Sequence, residues 1–355
     1  MNVIGSRLWP GITFAVLSAV LFGASTPLAK LLLVTVDPWL MAGLLYLGAG
    51  IGLLAVRYIA RATGRLNVQA PLRRGDLPLL AAVVALGGMI APLLLMLGLA
   101  RTQGATASLL LNFESLATLA IAWVAFRENV DARLFIGAMA ILAGAVLLSW
   151  GGDGFAIDGG ALFVLAACIC WAIDNNLTRK LSAADPVEIA MIKGLVAGGT
   201  NLVLAMSLGA QLPALHSVLA VGLVGFLGYG VSLVLFILAL RHLGTARTGA
   251  YFALAPFIGA ALSIPLLGEA LTQRLVLAGL LMAVGLWLHL AERHEHKHAH
   301  EPLEHEHLHT HDEHHAHPHN SNDPAGEPHS HPHRHGDLVH SHPHYPDLHH
   351  RHGHV

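Results

Sequence analysis

The chain has 355 residues, of which 54% are apolar and only 12% charged, where a soluble globular domain carries about a quarter charged. That balance excludes a soluble enzyme or a nucleic-acid-binding domain and indicates a protein built into a lipid bilayer. The formal net charge of -2 names no partner, because a membrane chain shows its charges on two separated surfaces.

All but three of the 26 histidines lie after residue 291, so the chain reads as an apolar body followed by a tail. A hydrocarbon core about 30 Å thick needs about 20 apolar residues of helix to cross it. Runs of that kind, separated by Gly, Pro or charge, lie near 11–34, 38–59, 77–100, 104–126, 133–150, 159–180, 187–208, 217–240, 247–267 and 274–291. Arg7 followed by GITFAVLSAVLFGAS has the charged start and apolar middle of a secretory signal. The apolar run continues past Pro27 to Val36, which favours a retained first span. Connections are mostly short, so consecutive helices are expected to be antiparallel neighbours. The expected fold class is an all-α integral membrane protein of ten transmembrane helices.

Basic residues orient the spans. One face collects Arg7, Arg57, Arg61, Arg65, Arg73, Arg74, Arg127, Arg133, Arg179, Lys180, Arg241, Arg247, Arg293 and Lys297, and the other has Lys30, Arg101 and Arg274. The excess marks the cytoplasmic face. An even number of spans then puts both termini in the cytoplasm of a cell whose inner membrane holds the protein. Cys168 and Cys170 fall within one span at a spacing that points them to different sides of a helix, so they read as small buried apolar residues.

The body repeats itself. ENVDARLFIGAMAILAG after the fourth span and EALTQRLVLAGLLMAVG after the ninth share Glu128, Arg133, Leu134 and Gly144 with Glu269, Arg274, Leu275 and Gly285 at one constant offset. The same offset sets Glu114-Ser115 opposite Ala255-Pro256. PGITFAVLSAVLFGASTPLAKLL also aligns with GGALFVLAACICWAIDNNLTRKL, with Phe22 against Trp171. Five helices followed by five place the second copy upside down relative to the first, the plan of many secondary transporters. The expected domains are a first five-helix repeat at 1–150, a second at 151–291, and a disordered His-rich cytoplasmic tail at 292–355.

On the Arg127-Glu128 and Gly268-Glu269 turns, the Glu114-Ser115 and Ala255-Pro256 pairs and the aromatic first helix of each half, the body resembles an EamA-type transporter of the drug/metabolite transporter superfamily. The resemblance covers about residues 10 to 291. Neither half keeps a complete Glu-Pro pair. The resemblance implies gradient-driven export or exchange of small metabolites, amino acids or drugs.

Polar groups inside spans cost about 3 kcal/mol for a charge at the centre and are by default site candidates facing the bundle interior. They are Asn112, Glu114, Asp174, Asn175, Asn176, Lys193 and Asn201, with Pro256 as a mid-span break. Asp174 and Lys193 each lie about 9 Å from the same membrane face at 1.5 Å per residue, so they can pair. The pair either meets the charges of a zwitterionic substrate or statically fixes two helices. Glu114, near the bilayer middle, suits a proton-coupling group or a structural hydrogen bond. Pro27, Pro92, Pro256 and Pro265 free backbone carbonyls, which must then face protein or a wet cavity. Gly48 with Gly52, and Gly194 with Gly198, have the spacing of close helix packing.

No GxxxxGK, GxSxG or HExxH motif occurs, so no ATP hydrolysis by a P-loop and no enzymatic activity is expected. In the tail, His294, His296, His298, His300, His305, His307, His309, His311, His314, His315, His317 and His319 alternate with polar residues. Imidazoles at that spacing bind zinc, nickel, cobalt or copper with little selectivity, and no cofactor is otherwise required. The expected partners are a small-molecule substrate, the lipid bilayer and a second copy in a homodimer, with no nucleic acid. The leading expectation is a secondary active exporter of a small organic metabolite by alternating access. Divalent-metal efflux with a buffering tail, and a non-transporting metal or pH receptor, are the alternatives.

Overall fold

The computed structural model describes residues 3–64, 72–126, 132–150, 158–178, 181, 184–290, 295–300, 304–309, 329–334 and 338–343. The body is helical throughout. α1 (Val3–Leu32) and α2 (Pro38–Ala62) are followed by α3 (Leu77–Val83), which passes through a π-helical turn, Val84–Ile90, into α4 (Ala91–Arg101). α5 (Gly104–Leu110), α6 (Phe113–Phe126) and α7 (Ala132–Ser149) complete the first half. The second half holds α8 (Gly159–Thr178), α9 (Pro186–Ser207), α10 (Leu215–Gly225), a π-helical turn at Phe226–Val231, α11 (Ser232–Phe252), α12 (Ala255–Leu267) and α13 (Gln273–Leu290).

Pro10–Leu32, Pro38–Ala62, Arg74–Arg101, Gly159–Thr178, Pro186–Ser207 and Leu215–Ala239 are long and apolar enough to cross a membrane, and Phe135–Ser149, Ala255–Leu267 and Gln273–Leu288 are shorter apolar helices. The body is that of an all-α, multi-pass membrane protein. Large apolar side chains on the outside, such as Leu219, Val203, Leu280 and Trp287, lie where lipid would cover them.

The expected spans divide differently in two places. The run 104–126 is broken at Leu111–Asn112, and the run 247–267 is broken just before Ala255, whereas α11 continues unbroken through the basic stretch that the sequence reading took as a boundary. Charge moves a helix relative to a membrane face but does not open its backbone. Pro256 lies in the first turn of α12, where its missing N–H costs nothing, whereas α1 runs unbroken through Pro10 and Pro27 and α12 through Pro265, so these prolines do not interrupt their spans.

Duplication is visible in local structure. Asp37 and Asp185 each precede a proline and cap the following helix, accepting from Trp39 N at 2.8 Å and Val187 N at 2.9 Å. Both halves carry a π-helical turn before their fourth helical stretch, and both break where Asn112 and Ala253 stand. Packing obeys the same exchange: α2 lies on α9 and α7 on α13, while α1 packs on α11 and α12 as α8 packs on α4 and α6.

The α2–α9 contact is a backbone contact. A Cβ on Gly194 would lie 2.6 Å from Gly50 N, and one on Gly50 would lie 2.5 Å from Leu195 N. Gly198 meets Leu47 in the same way, while Gly48 and Gly52 instead receive Gly222 and Phe226. In the tail, β1 (Glu295–His300) pairs antiparallel with β4 (Leu338–Pro343), and β2 (Glu304–His309) with β3 (His329–Arg334). Two-stranded ladders of this kind are marginal in water by themselves.

Gly194→Val is expected to destabilise the protein by about 1–3 kcal/mol through overpacking. Gly199→Ala, at a site open for 4 Å, is expected to be neutral. Thermal unfolding in detergent, followed by tryptophan fluorescence, compares the two.

Candidate functional site

α8 and α9 bring an acid and a base together inside the bundle. Lys193 Nζ donates to Asp174 Oδ2 at 2.5 Å, with side-chain exposures of 9% and 6%. Thr178, one turn along α8, donates to Asp174 Oδ1 at 3.1 Å. The pairing expected from equal depth therefore exists, and it neutralises two charges that would each be costly alone.

The pair is seated against the π-helical turn of the first half. A Cβ on Gly87 would fall on Asp174 Oδ2 and lie 2.7 Å from Lys193 Nζ, so only glycine leaves room for both ions. A π-helical turn leaves backbone carbonyls without their usual helical partners, and within a membrane these need other donors. Gly87 O accepts from Tyr46 Oη at 2.8 Å and from Trp171 Nε1 at 3.0 Å, and Met89 O accepts from Asn201 Nδ2 at 3.1 Å. α2, α8 and α9 thus all donate to one widened turn.

Aromatic rings continue from this point. Phe22 on α1 meets Trp171 edge-on at 6.3 Å, Tyr229 at 5.8 Å and Phe252 at 5.4 Å between centroids, and Tyr46 meets Tyr229 at 5.4 Å.

Glu114 lies in the first turn of α6, directly after the Leu111–Asn112 break. Its Oε1 accepts from Asn175 Nδ2 at 2.7 Å, and Asn175 is exposed. Because Asn175 is the neighbour of Asp174, the two acids are linked through α8. Asn176 faces α6, donating to Ala172 O at 2.8 Å and Thr118 O at 3.4 Å.

The remaining candidates stand apart. Asn112 donates to Leu109 O at 3.0 Å and lies 3.9 Å from Met282 Sδ, on the α13 side. Pro256 is buried at the start of α12, at the break equivalent to the one before Glu114. Tyr46 and Gly87 were missed by sequence reasoning. Their only signal was Gly87-Gly88 inside an apolar span that also contains a proline.

One end of the bundle is stitched by side chains. Lys30 Nζ donates to Leu99 O at 2.5 Å, Thr102 Oγ1 to Asp158 Oδ2 at 2.7 Å, and Arg274 to Trp150 O at 2.7 Å. Here too Glu269 accepts from the amides of Gly104 and Ala105 at 2.5 Å and 2.8 Å. At the other end, Arg57 on α2 meets Asp185 at 3.4 Å and Glu188 at 3.8 Å. Glu128, the sequence counterpart of Glu269, lies outside the described residues.

Among the described residues no group of three His, Cys, Asp or Glu side chains could hold a metal ion. Of the tail histidines, His294, His311, His314, His315, His317 and His319 lie outside the described residues, and His296, His298, His300, His305, His307 and His309 are described by their backbone pairings alone.

The chain is similar to several known proteins described as transporters or efflux pumps. An "Uncharacterized transporter" of Methanothermobacter thermautotrophicus is 31% identical over 298 residues, 79% of this chain and 86% of its own length. The inner membrane transporter YedA of Escherichia coli strain K12 is 28% identical over 249 residues, 66% of this chain and 76% of its own. A "Probable amino-acid metabolite efflux pump" of Salmonella typhimurium is 27% identical over 202 residues, 52% of this chain and 66% of its own. One crystal structure shares the fold at a TM-score of 0.58 and 19% identity, covering 80% of this chain and 96% of that one. The profile of the EamA-like transporter family matches twice, at residues 9–150 and 158–291. Those two stretches are the halves whose caps, π-helical turns and packing correspond in the structure, and the chain belongs to the EamA-like transporter family, a family of membrane transporters and not of enzymes.

Proposed function

We propose that the protein is a secondary active exporter of a small organic metabolite carrying both an acidic and a basic group, working by alternating access. The reading takes the body as ten spans in two inverted halves, with both termini in the cytoplasm and the protein in the inner membrane. The observation that carries it is the Asp174–Lys193 pair, buried between α8 and α9 against the Gly87 turn. A zwitterion can take the place of each ion's partner without leaving a bare charge in hydrocarbon. A relative described as a probable amino-acid metabolite efflux pump supports a cargo of this chemistry. No P-loop motif is present to couple ATP hydrolysis, so the energy comes from a gradient, and Glu114 is the carboxyl placed to bind and release the coupling proton.

Divalent-metal efflux is the second reading, and the alternating histidines of the tail favour it. Removing residues 292–355 separates the two. Under the first reading solute exchange in proteoliposomes is unchanged, while zinc or nickel bound per protein falls severalfold; under the second, metal flux across the vesicle falls as well.

Neutralising one partner, as Asp174→Asn or Lys193→Gln, leaves the other charge buried and is expected to cost about 3–5 kcal/mol of stability and to abolish exchange. The double variant should regain most of the stability without regaining exchange. Full exchange by the double variant would make the pair a static tie and sink the proposal.

Glu114→Gln is expected to insert normally and to exchange solute at a rate that no longer depends on external pH. Measuring counterflow across a pH series in wild type and variant decides it: an unaltered pH profile removes Glu114 from any role in coupling.

A further inference from the structure

We infer that Glu269 is a positioning residue of the transport step: its carboxylate holds shut the end of the bundle that carries Lys30 and Arg274, and solute passes there only when it releases the α5 amides. The inference rests on the alternating-access reading and adds to it the contact that must break.

α12 ends in Gly268, whose φ of 65° is a left-handed cap that turns the chain sharply. The turn sends Glu269 across to the other half. There Oε1 accepts from Gly104 N at 2.5 Å and Oε2 from Ala105 N at 2.8 Å. These amides begin α5 and have no partner within their own helix, so a carboxylate makes two charge-assisted hydrogen bonds to them. Gly104 is shaped for the contact: a Cβ there would lie 2.5 Å from Leu267 Cδ1, 3.0 Å from Ser263 Oγ and 3.3 Å from Glu269 Oε1.

α5 and α12 come from different halves and both pack on α1. A passage opening at this end must part them, and the Glu269 contact is what ties them across. A second observation lies one turn further in. Ser108, on the face of α5 that follows Gly104, is fully buried against Gly259, and its hydroxyl has no hydrogen-bond partner among the described residues. A polar group left idle inside a membrane bundle is costly. It is accounted for as part of the passage wall, wetted when α5 and α12 separate.

The test places a cysteine at Ser108→Cys in a chain with Cys168→Ala and Cys170→Ala, reconstituted in sealed vesicles. A membrane-impermeant maleimide is added on the face that carries Arg274. Labelling is expected to be slow with Glu269 present and at least tenfold faster in Glu269→Gln, which keeps the side chain's length. Glu269→Asp, charged but too short to reach both amides, should fall between and serves if the first variant does not fold. Equal, slow labelling in a variant that retains the parent's thermal midpoint would show a static helix cap and overturn the inference. Faster labelling in a protein that exchanges no zwitterion would uphold the gate and reject the proposed cargo, so the two failures are distinct.

Discussion

An ammonium and a carboxylate 2.5 Å apart inside hydrocarbon constrain nearly everything around them. Neither ion tolerates separation from the other without a substitute, and the two arise on consecutive helices, so α8 and α9 must keep one register. The ions need a neighbour with no side chain, which Gly87 supplies, and Gly87 lies in a turn whose widened hydrogen-bond ladder needs outside donors. Tyr46, Trp171 and Asn201 meet that need. Removing any one of these polar groups would leave its partner unsatisfied, and the cluster thereby joins four segments of the chain.

Much of this was legible in residue order, because the bilayer imposes severe rules. Apolar length marked the spans, the recurrence of Glu128 through Gly144 as Glu269 through Gly285 announced two copies, and equal depth paired Asp174 with Lys193. What stayed hidden depended on backbone geometry that residue types do not encode one at a time. Each π-helical turn carries two glycines, Gly87 with Gly88 and Gly228 with Gly230, but glycines are frequent throughout the spans, and so the role of Gly87 and the importance of Tyr46 emerged only from the fold. The basic stretch after Leu240 also misled: it satisfied a rule about charge and membrane faces, while the backbone opened thirteen residues later beside Pro256.

The two halves are alike in plan but unlike in chemistry. The position of Glu114 corresponds to an alanine before Pro256, and the Asp174–Lys193 pair has no charged counterpart in the first half, where Tyr46 and Gly87 face it. Duplication accounts for the scaffold and its exchangeable packing. The polar groups were placed on that scaffold asymmetrically, with the acids and the base gathered on α6, α8 and α9.

The doubly accepting carbonyl of Gly87 limits how the molecule can deform. Two donors from separate helices and a third at Met89 tie α2, α8 and α9 to the same turn. On the proposed alternating-access reading, a swing of α5 and α12 against this clamp uses the non-helical breaks that flank them, at Thr102–Gln103, Leu111–Asn112 and Ala253–Leu254.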